Sequence, residues 1–258
     1  MDARTPGTPG TPVTLGFTTG EAVVVTGAGS GIGRAVAMAA LGAGLRVSAW
    51  DLQPAGLADL AAQVPSDHRD RLHTAVCDVA DASARAAALA EAVTATGGVP
   101  RYLVNNAGPS SQVPLAFEDA VRISVGSVRG LTQDWLEAGA PTGAAMVVTA
   151  SVAGNLIGTE SDWYSASKAA LVGYVRHLAA HHADRIRANA IGPGMTDTPR
   201  LAGFAQSETG HRILARVPLG RMGRPEEMAW PILFLLSPLA SYVNGVFLPV
   251  DGGWTVTQ

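Results

Sequence analysis

Seven short apolar runs punctuate the chain beyond Glu21: Ala22–Thr26, Arg46–Trp50, Leu72–Cys77, Tyr102–Val104, Ala145–Ala150, Arg187–Ile191 and Val246–Val250. Most are nearly continuous Val, Leu and Ala rather than alternating apolar and polar. That pattern belongs to strands covered on both faces. The stretches between them are long enough for helices. Ile32–Leu41 carries apolar residues at helical spacing and stops at Gly42 and Gly44. Trp163–His182 reads as a longer helix whose small residues (Ala166, Ala170, Gly173) permit close packing. Strands alternating with helices make β-α-β units and a parallel sheet. Without an internal repeat or a linker-like break, residues 21–258 are expected to form one doubly wound α/β domain with about seven central strands.

Composition narrows the partners. With 47% hydrophobic and 15% charged residues, the chain has the balance of a protein with a substantial core. A net charge of −3 and the lack of any Lys/Arg cluster give no reason to expect nucleic acid or a membrane surface. Residues 1–20 are rich in Thr, Pro and Gly and lack the apolar segment of a signal peptide, so they read as a flexible tail and the protein as cytoplasmic. No run approaches the roughly 20 apolar residues of a membrane span. The single cysteine, Cys77, lies in an apolar run and is expected to be a buried thiol. Of the 18 basic residues, every one is arginine except Lys168.

The first run leads straight into Gly27-Ala28-Gly29-Ser30-Gly31-Ile32-Gly33, and a helix follows. Glycines there allow a tight turn and close approach of backbone to a pyrophosphate, held by N–H groups at the helix start. A glycine cluster alone could be a plain loop. The strand before it and the helix after it favour a dinucleotide site in a Rossmann-type fold. Asp51 ends the second strand, 24 residues beyond Gly27. An acidic side chain there accepts ribose hydroxyls and repels a 2′-phosphate. Neither Leu52 nor Ser30 supplies a cation for such a phosphate, so the expected cofactor is NAD rather than NADP.

Tyr164 and Lys168 lie four apart at the start of a helix and share one face. An ammonium near a phenol favours phenolate, so Tyr164 is expected to titrate below the usual tyrosine value and to act as general acid or base on an alcohol or carbonyl. Tyr-x-x-x-Lys is common by coincidence. The use of lysine here alone argues against chance, because a compact ammonium that hydrogen-bonds hydroxyls is not replaced by a broad guanidinium.

These pieces together resemble the short-chain dehydrogenase/reductase family from about residue 20 to the C-terminus. The matching motifs are Thr26-Gly27-x-x-x-Gly31-x-Gly33, Asp78-Val79, Asn105-Asn106-Ala107-Gly108, Ser151, Tyr164-x-x-x-Lys168, Pro193-Gly194 and Val250-Asp251-Gly252-Gly253. The resemblance implies that Gly27, Ser30, Gly31, Ile32, Gly33, Asp51 and Leu52 hold the cofactor's diphosphate and adenosine end. It places Asp78 and Val79 against the adenine, and Asn105, Asn106, Ala107 and Gly108 along the ribose and nicotinamide side. Lys168 would hold the nicotinamide ribose, and Pro193, Gly194, Met195, Thr196 and Thr198 the nicotinamide itself. Ser151 would orient the reacting oxygen and Tyr164 would move its proton. The family's catalytic asparagine is missing, since no asparagine occurs between Asn106 and Asn155. Local pattern puts Ser127 in its place, whereas spacing back from Ser151 suggests Ser124.

The resulting expectation is an NAD-dependent interconversion of a secondary alcohol and a ketone. Apolar residues of the segment after Met195 (Leu201, Phe204, Ile213), with Ile157 and Trp163, point to an apolar substrate, cyclic or aromatic. Arg200, Glu208 and Arg212 are the few charges there. A catalytically silent NAD-binding sensor or scaffold is the competing reading. The missing asparagine favours it, and the intact Ser151, Tyr164 and Lys168 set opposes it. Ser151 has Thr149 and Ala153 where a hydrolase elbow needs glycine. His177 and His181 share a helical face but have no third ligand in view, so no metal is assigned. Relatives of this kind commonly form homotetramers or dimers, and the same is expected here.

Overall fold

A computed structural model describes residues 14–257. Seven strands form one sheet in the order β3-β2-β1-β4-β5-β6-β7. They are β1 (Ala22–Thr26), β2 (Arg46–Asp51), β3 (Leu72–Val76), β4 (Tyr102–Asn105), β5 (Ala144–Thr149), β6 (Ile186–Pro193) and β7 (Phe247–Val250), and every pairing is parallel. The helices are α1 (Gly31–Gly42), α2 (Pro54–Gln63), α3 (Ala82–Thr96), α4 (Phe117–Val121), α5 (Ser127–Glu137), α6 (Asp162–His181), α7 (Glu208–Leu214) and α8 (Pro225–Leu236).

The apolar runs follow from a sheet buried on both faces. In β1, Val23 and Val25 face one core with α1, α2 and α8, while Val24 faces the other with α3, α5 and α6. Each layer can bury its apolar stripe only against the sheet, so continuous Val and Ala is the composition the strand requires. Strand order reverses between β1 and β4, and a crevice opens there beyond the carboxyl ends of the strands.

Part of the expected tail, residues 1–13, lies outside the described residues. The remainder is not loose. Leu15 and Phe17 pack against the first core, and Phe17 meets the Tyr102 ring edge-on at 5.2 Å. An apolar pair among prolines and glycines was too sparse to register as a packing segment. Cys77 is buried, and that burial pushes its thiol up to about 11.

Candidate active site

The turn after β1 is built for close approach. Gly33 sits in the first turn of α1, where a Cβ would fall 2.1 Å from the carbonyl oxygen of Gly27. Ser30, ahead of that helix, makes no side-chain cap, and the first turn holds no acidic residue. The leading N–H groups of α1 are thus left to an anion from outside, which fits a diphosphate. Thr26 secures the far side of the crevice. Its hydroxyl donates to the Val104 carbonyl and accepts from the backbone N–H groups of Asn106 and Ala107. Asn106 adds a side-chain bond of 3.0 Å to the Thr26 carbonyl. The expected Asn105 contact differs: its amide turns inward to the Thr132 hydroxyl at 3.3 Å, and only its backbone can face the crevice.

Asp51 lies at the crevice edge with its carboxylate already oriented. One oxygen accepts from Gly29 N–H and the other from Gln53 N–H, both at 2.8 Å. Leu52 is exposed beside it, and Asp78 is exposed with Val79 half-buried on the next strand end. Arg34, a nearby cation, is occupied by the carbonyls of Gly29 and Gly56 and by Asp59.

Ser161 caps α6 by accepting from Tyr164 N–H, which fixes Tyr164 in the first turn with Lys168 one turn later. Lys168 Nζ donates to the Thr149 carbonyl at 2.9 Å, at the end of β5, and lies 5.6 Å from the Tyr164 ring centre. Ser151 lies two residues beyond the end of β5, and its hydroxyl is close enough to the Tyr164 phenol to pull its pKa down. Asn155 stitches this loop to α6, donating to the carbonyls of Ser151 and Lys168 at 2.9 and 3.0 Å. Gly154, with φ of 80°, packs so closely that a Cβ would fall 2.2 Å from the Ser165 carbonyl. Ser151, Tyr164 and Lys168 are therefore brought together by β5 and α6, as spacing alone could not show.

The electrostatics differ from expectation. Burial holds the Tyr164 phenol above its ordinary value, against the Ser151 hydrogen bond and the Arg200 charge, which both pull it down. Burial, aided by Arg200, brings Lys168 to about 7. At both groups burial is the first cause, and it opposes the lowering of the phenol that a neighbouring ammonium would bring.

The missing asparagine is also clarified. Ser124 lies in a π-helical turn, Arg122–Gly126, that packs on α6, whereas Ser127 begins α5. Both are buried, and the Ser124 hydroxyl is enclosed without a partner. A π turn and an orphaned hydroxyl next to α6 favour Ser124 over Ser127 as the residue in the asparagine's place.

Pro193, the last residue of β6, is buried, and Gly194 N–H just beyond it donates to the Val250 carbonyl at 3.0 Å. Met195 and Thr196 pair with Gly223, and Thr198 closes over the glycine turn, 3.0 Å from where a Gly31 Cβ would be. Arg200 reaches across to the Gly108 carbonyl. An open groove of about 550 Å³ runs between the loop at Val113–Ala116 and the start of α6 at Asp162 and Trp163. Thr26, Thr149, Asn155 and Arg200 are the site residues that sequence reading left without a role. Among the described residues no group of three His, Cys, Asp or Glu could hold a metal, and no helix is long and apolar enough to cross a membrane.

The family model described as enoyl-(acyl carrier protein) reductase matches residues 27–255. D-threitol dehydrogenase of Mycolicibacterium smegmatis is 36% identical over 248 residues, 92% of this chain and 94% of the relative. Cis-4-hydroxycyclohexanecarboxylate dehydrogenase of Sinomonas cyclohexanicum is 36% identical, covering 90% of this chain and 95% of its own length. Two solved structures superimpose closely. The 3-ketoacyl-(acyl-carrier-protein) reductase of Brucella melitensis complexed with NADH has a TM-score of 0.80 at 28% identity, covering 92% of this chain and 99% of that one. A short-chain dehydrogenase of Burkholderia cenocepacia in complex with NADP has a TM-score of 0.82 at 27% identity, covering 92% and 98%. The chain belongs to the short-chain dehydrogenase/reductase family, a family of oxidoreductases that bind a nicotinamide cofactor.

Proposed function

We propose that the protein is an NAD-dependent dehydrogenase that interconverts a secondary alcohol and a ketone, with a predominantly apolar, cyclic or aromatic substrate. The observation that carries the reading is the Ser151 hydroxyl placed close enough to the Tyr164 phenol to act on it, with the chain's only lysine one turn of α6 beyond Tyr164. The turn Gly27–Gly33 and the free N–H groups of α1 would hold the cofactor diphosphate. Asp51 would take the adenosine ribose hydroxyls, and its charge, with Arg34 already occupied, supports NAD over NADP. Leu52, Asp78 and Val79 would flank the adenine, and Asn106–Gly108, Pro193–Thr196 and Thr198 the nicotinamide end. When bound, the nicotinamide supplies the redox chemistry by accepting or returning a hydride.

The chain's own residues handle position and protons. Ser151 would hydrogen-bond the reacting oxygen and hold it against Tyr164. Tyr164 Oη, as the neutral phenol, would give its proton to the ketone oxygen during reduction, and the phenolate so formed would take the alcohol proton during oxidation. Lys168, tethered to the Thr149 carbonyl, would hold the nicotinamide ribose. Ser124 would support the proton path in the asparagine's place. A ring-bearing alcohol is named for the Sinomonas relative, a linear polyol for the Mycolicibacterium one. Half-buried Leu201, Phe204 and Ile213 support the ring. A cytoplasmic homo-oligomer is the setting we infer, supported by exposed apolar residues on α8 (Trp230, Phe234).

The test follows reduced-nicotinamide absorbance with NAD and a panel of cyclic and aromatic secondary alcohols. Turnover is expected, and Tyr164→Phe should lower it about 10²- to 10⁴-fold, the range of general acid–base catalysis. NAD binding without turnover, unchanged in Tyr164→Phe, would establish a silent sensor instead.

A further inference from the structure

Arg200 is the one residue of the post-β6 segment whose charge bears on the reacting pair. Its guanidinium crosses the crevice to donate to the Gly108 carbonyl, at the end of the loop leaving β4. From there it favours the Tyr164 phenolate and opposes the Lys168 ammonium. Several other arginines have carboxylate partners, among them Arg34 with Asp59, Arg85 with Asp134, Arg101 with Glu21 and Arg221 with Glu227. Among the described residues, no carboxylate lies within ion-pair distance of Arg200 or of Lys168. The rest of the Arg200 side chain is exposed at the mouth of the crevice, followed by half-buried Leu201.

A guanidinium offers five donors in a planar fork that matches a carboxylate. A single backbone carbonyl uses only part of that fork. With no carboxylate near it, the Arg200 charge is left uncompensated at the crevice mouth, and an anion there would neutralise it. Leu201 and Phe204 keep the surroundings apolar, so the charge suits one substituent on an apolar body rather than a small polar acid.

We propose that Arg200 determines specificity by gripping a carboxylate carried on the ring of the substrate, away from the reacting carbinol. The proposal rests on the secondary-alcohol reading above. A matched pair of probes isolates it: 3-hydroxycyclohexanecarboxylate and its neutral methyl ester. The native enzyme should show a kcat/KM about 10- to 100-fold higher for the acid, the worth of a charge-assisted hydrogen bond. Arg200→Ala should abolish that preference, and Arg200→Lys should keep part of it. A second measurement needs no turnover: cyclohexanecarboxylate is titrated into the enzyme–NADH complex by nicotinamide fluorescence. Its Kd should weaken at least tenfold in Arg200→Ala, with the Kd of NADH measured alongside. A native enzyme that neither prefers the acid nor binds the carboxylate overturns the proposal. Equal weakening of NADH and carboxylate binding overturns it too, by assigning Arg200 to the cofactor's diphosphate. If neither probe is oxidised, the dehydrogenase reading fails separately, and the carboxylate titration still decides Arg200.

Discussion

Lys168 shows how far a single residue can be read without its surroundings. Its solitary status among 18 basic residues was plain in the sequence, and so was its place four residues after Tyr164. What the sequence could not show is enclosure, because the surroundings of Lys168 are set by β5 and the loop at Asn155. Burial brings the amine to about 7, far below a free lysine. The unfolded chain therefore binds more protons than the folded one from about pH 7 up to the ordinary lysine value, and folding stability rises with pH through that window. Below about pH 7 the charged amine is a full burden on the fold. Lys168→Met removes the burden, so its melting temperature relative to the native protein should be most favourable near pH 6 and should decline as pH approaches 10. Melting curves across that range check it. A gap that stays flat with pH would mean the amine is not depressed. Tyr164 departs from expectation for the same reason: spacing shows a neighbouring amine, and only the fold shows the burial that holds the phenol up.

At the scale of elements, legibility follows what an element must bury. Strands reached by continuous Val and Ala were placed within about two residues of their ends, because both faces are covered. Helix α1 was legible for its spacing and its glycine boundaries. The π-helical turn Arg122–Gly126 was not, because it keeps the side-chain spacing of the helices around it and differs only by one inserted residue. Ser124 lies in that turn, three residues before Ser127, and its buried hydroxyl has no partner among the described residues. Gly33 makes the opposite case, a local rule reversed by packing. Alanine inside a helix is usually better than glycine by about 1 kcal/mol. Here its Cβ would fall 2.1 Å from the Gly27 carbonyl, so turn and helix must separate. Gly33→Ala should lower stability by about 1–3 kcal/mol, as overpacking does, and weaken NADH binding at least tenfold. Thermal melts and a fluorescence titration test both.

For the molecule as a whole, the doubly wound α/β architecture with about seven parallel strands was accessible from alternation; the strand order and the margins were not. Leu15 and Phe17 join the first core from a stretch whose composition reads as tail. Beside them Glu21 accepts from the Tyr102 hydroxyl at 2.9 Å and pairs with Arg101 at 3.0 Å, which ties the entry of β1 to that of β4. A protein beginning at residue 21 should therefore melt about 4–8 °C below one beginning at residue 14, from about 2 kcal/mol of lost apolar burial. Equal melting temperatures would show that Leu15 and Phe17 add nothing.

The strand order also bears on when the crevice can exist during synthesis. β1 pairs with β2 soon after both leave the ribosome, but its other neighbour, β4, emerges only after β2, α2, β3 and α3. Until then the Thr26 hydroxyl has no Asn106 or Ala107 to hold, and the glycine turn has only one wall. A nascent chain is thus blind to its dinucleotide for the first hundred residues or so. Any rescue of folding by the cofactor must act late, on chains already past the second wall.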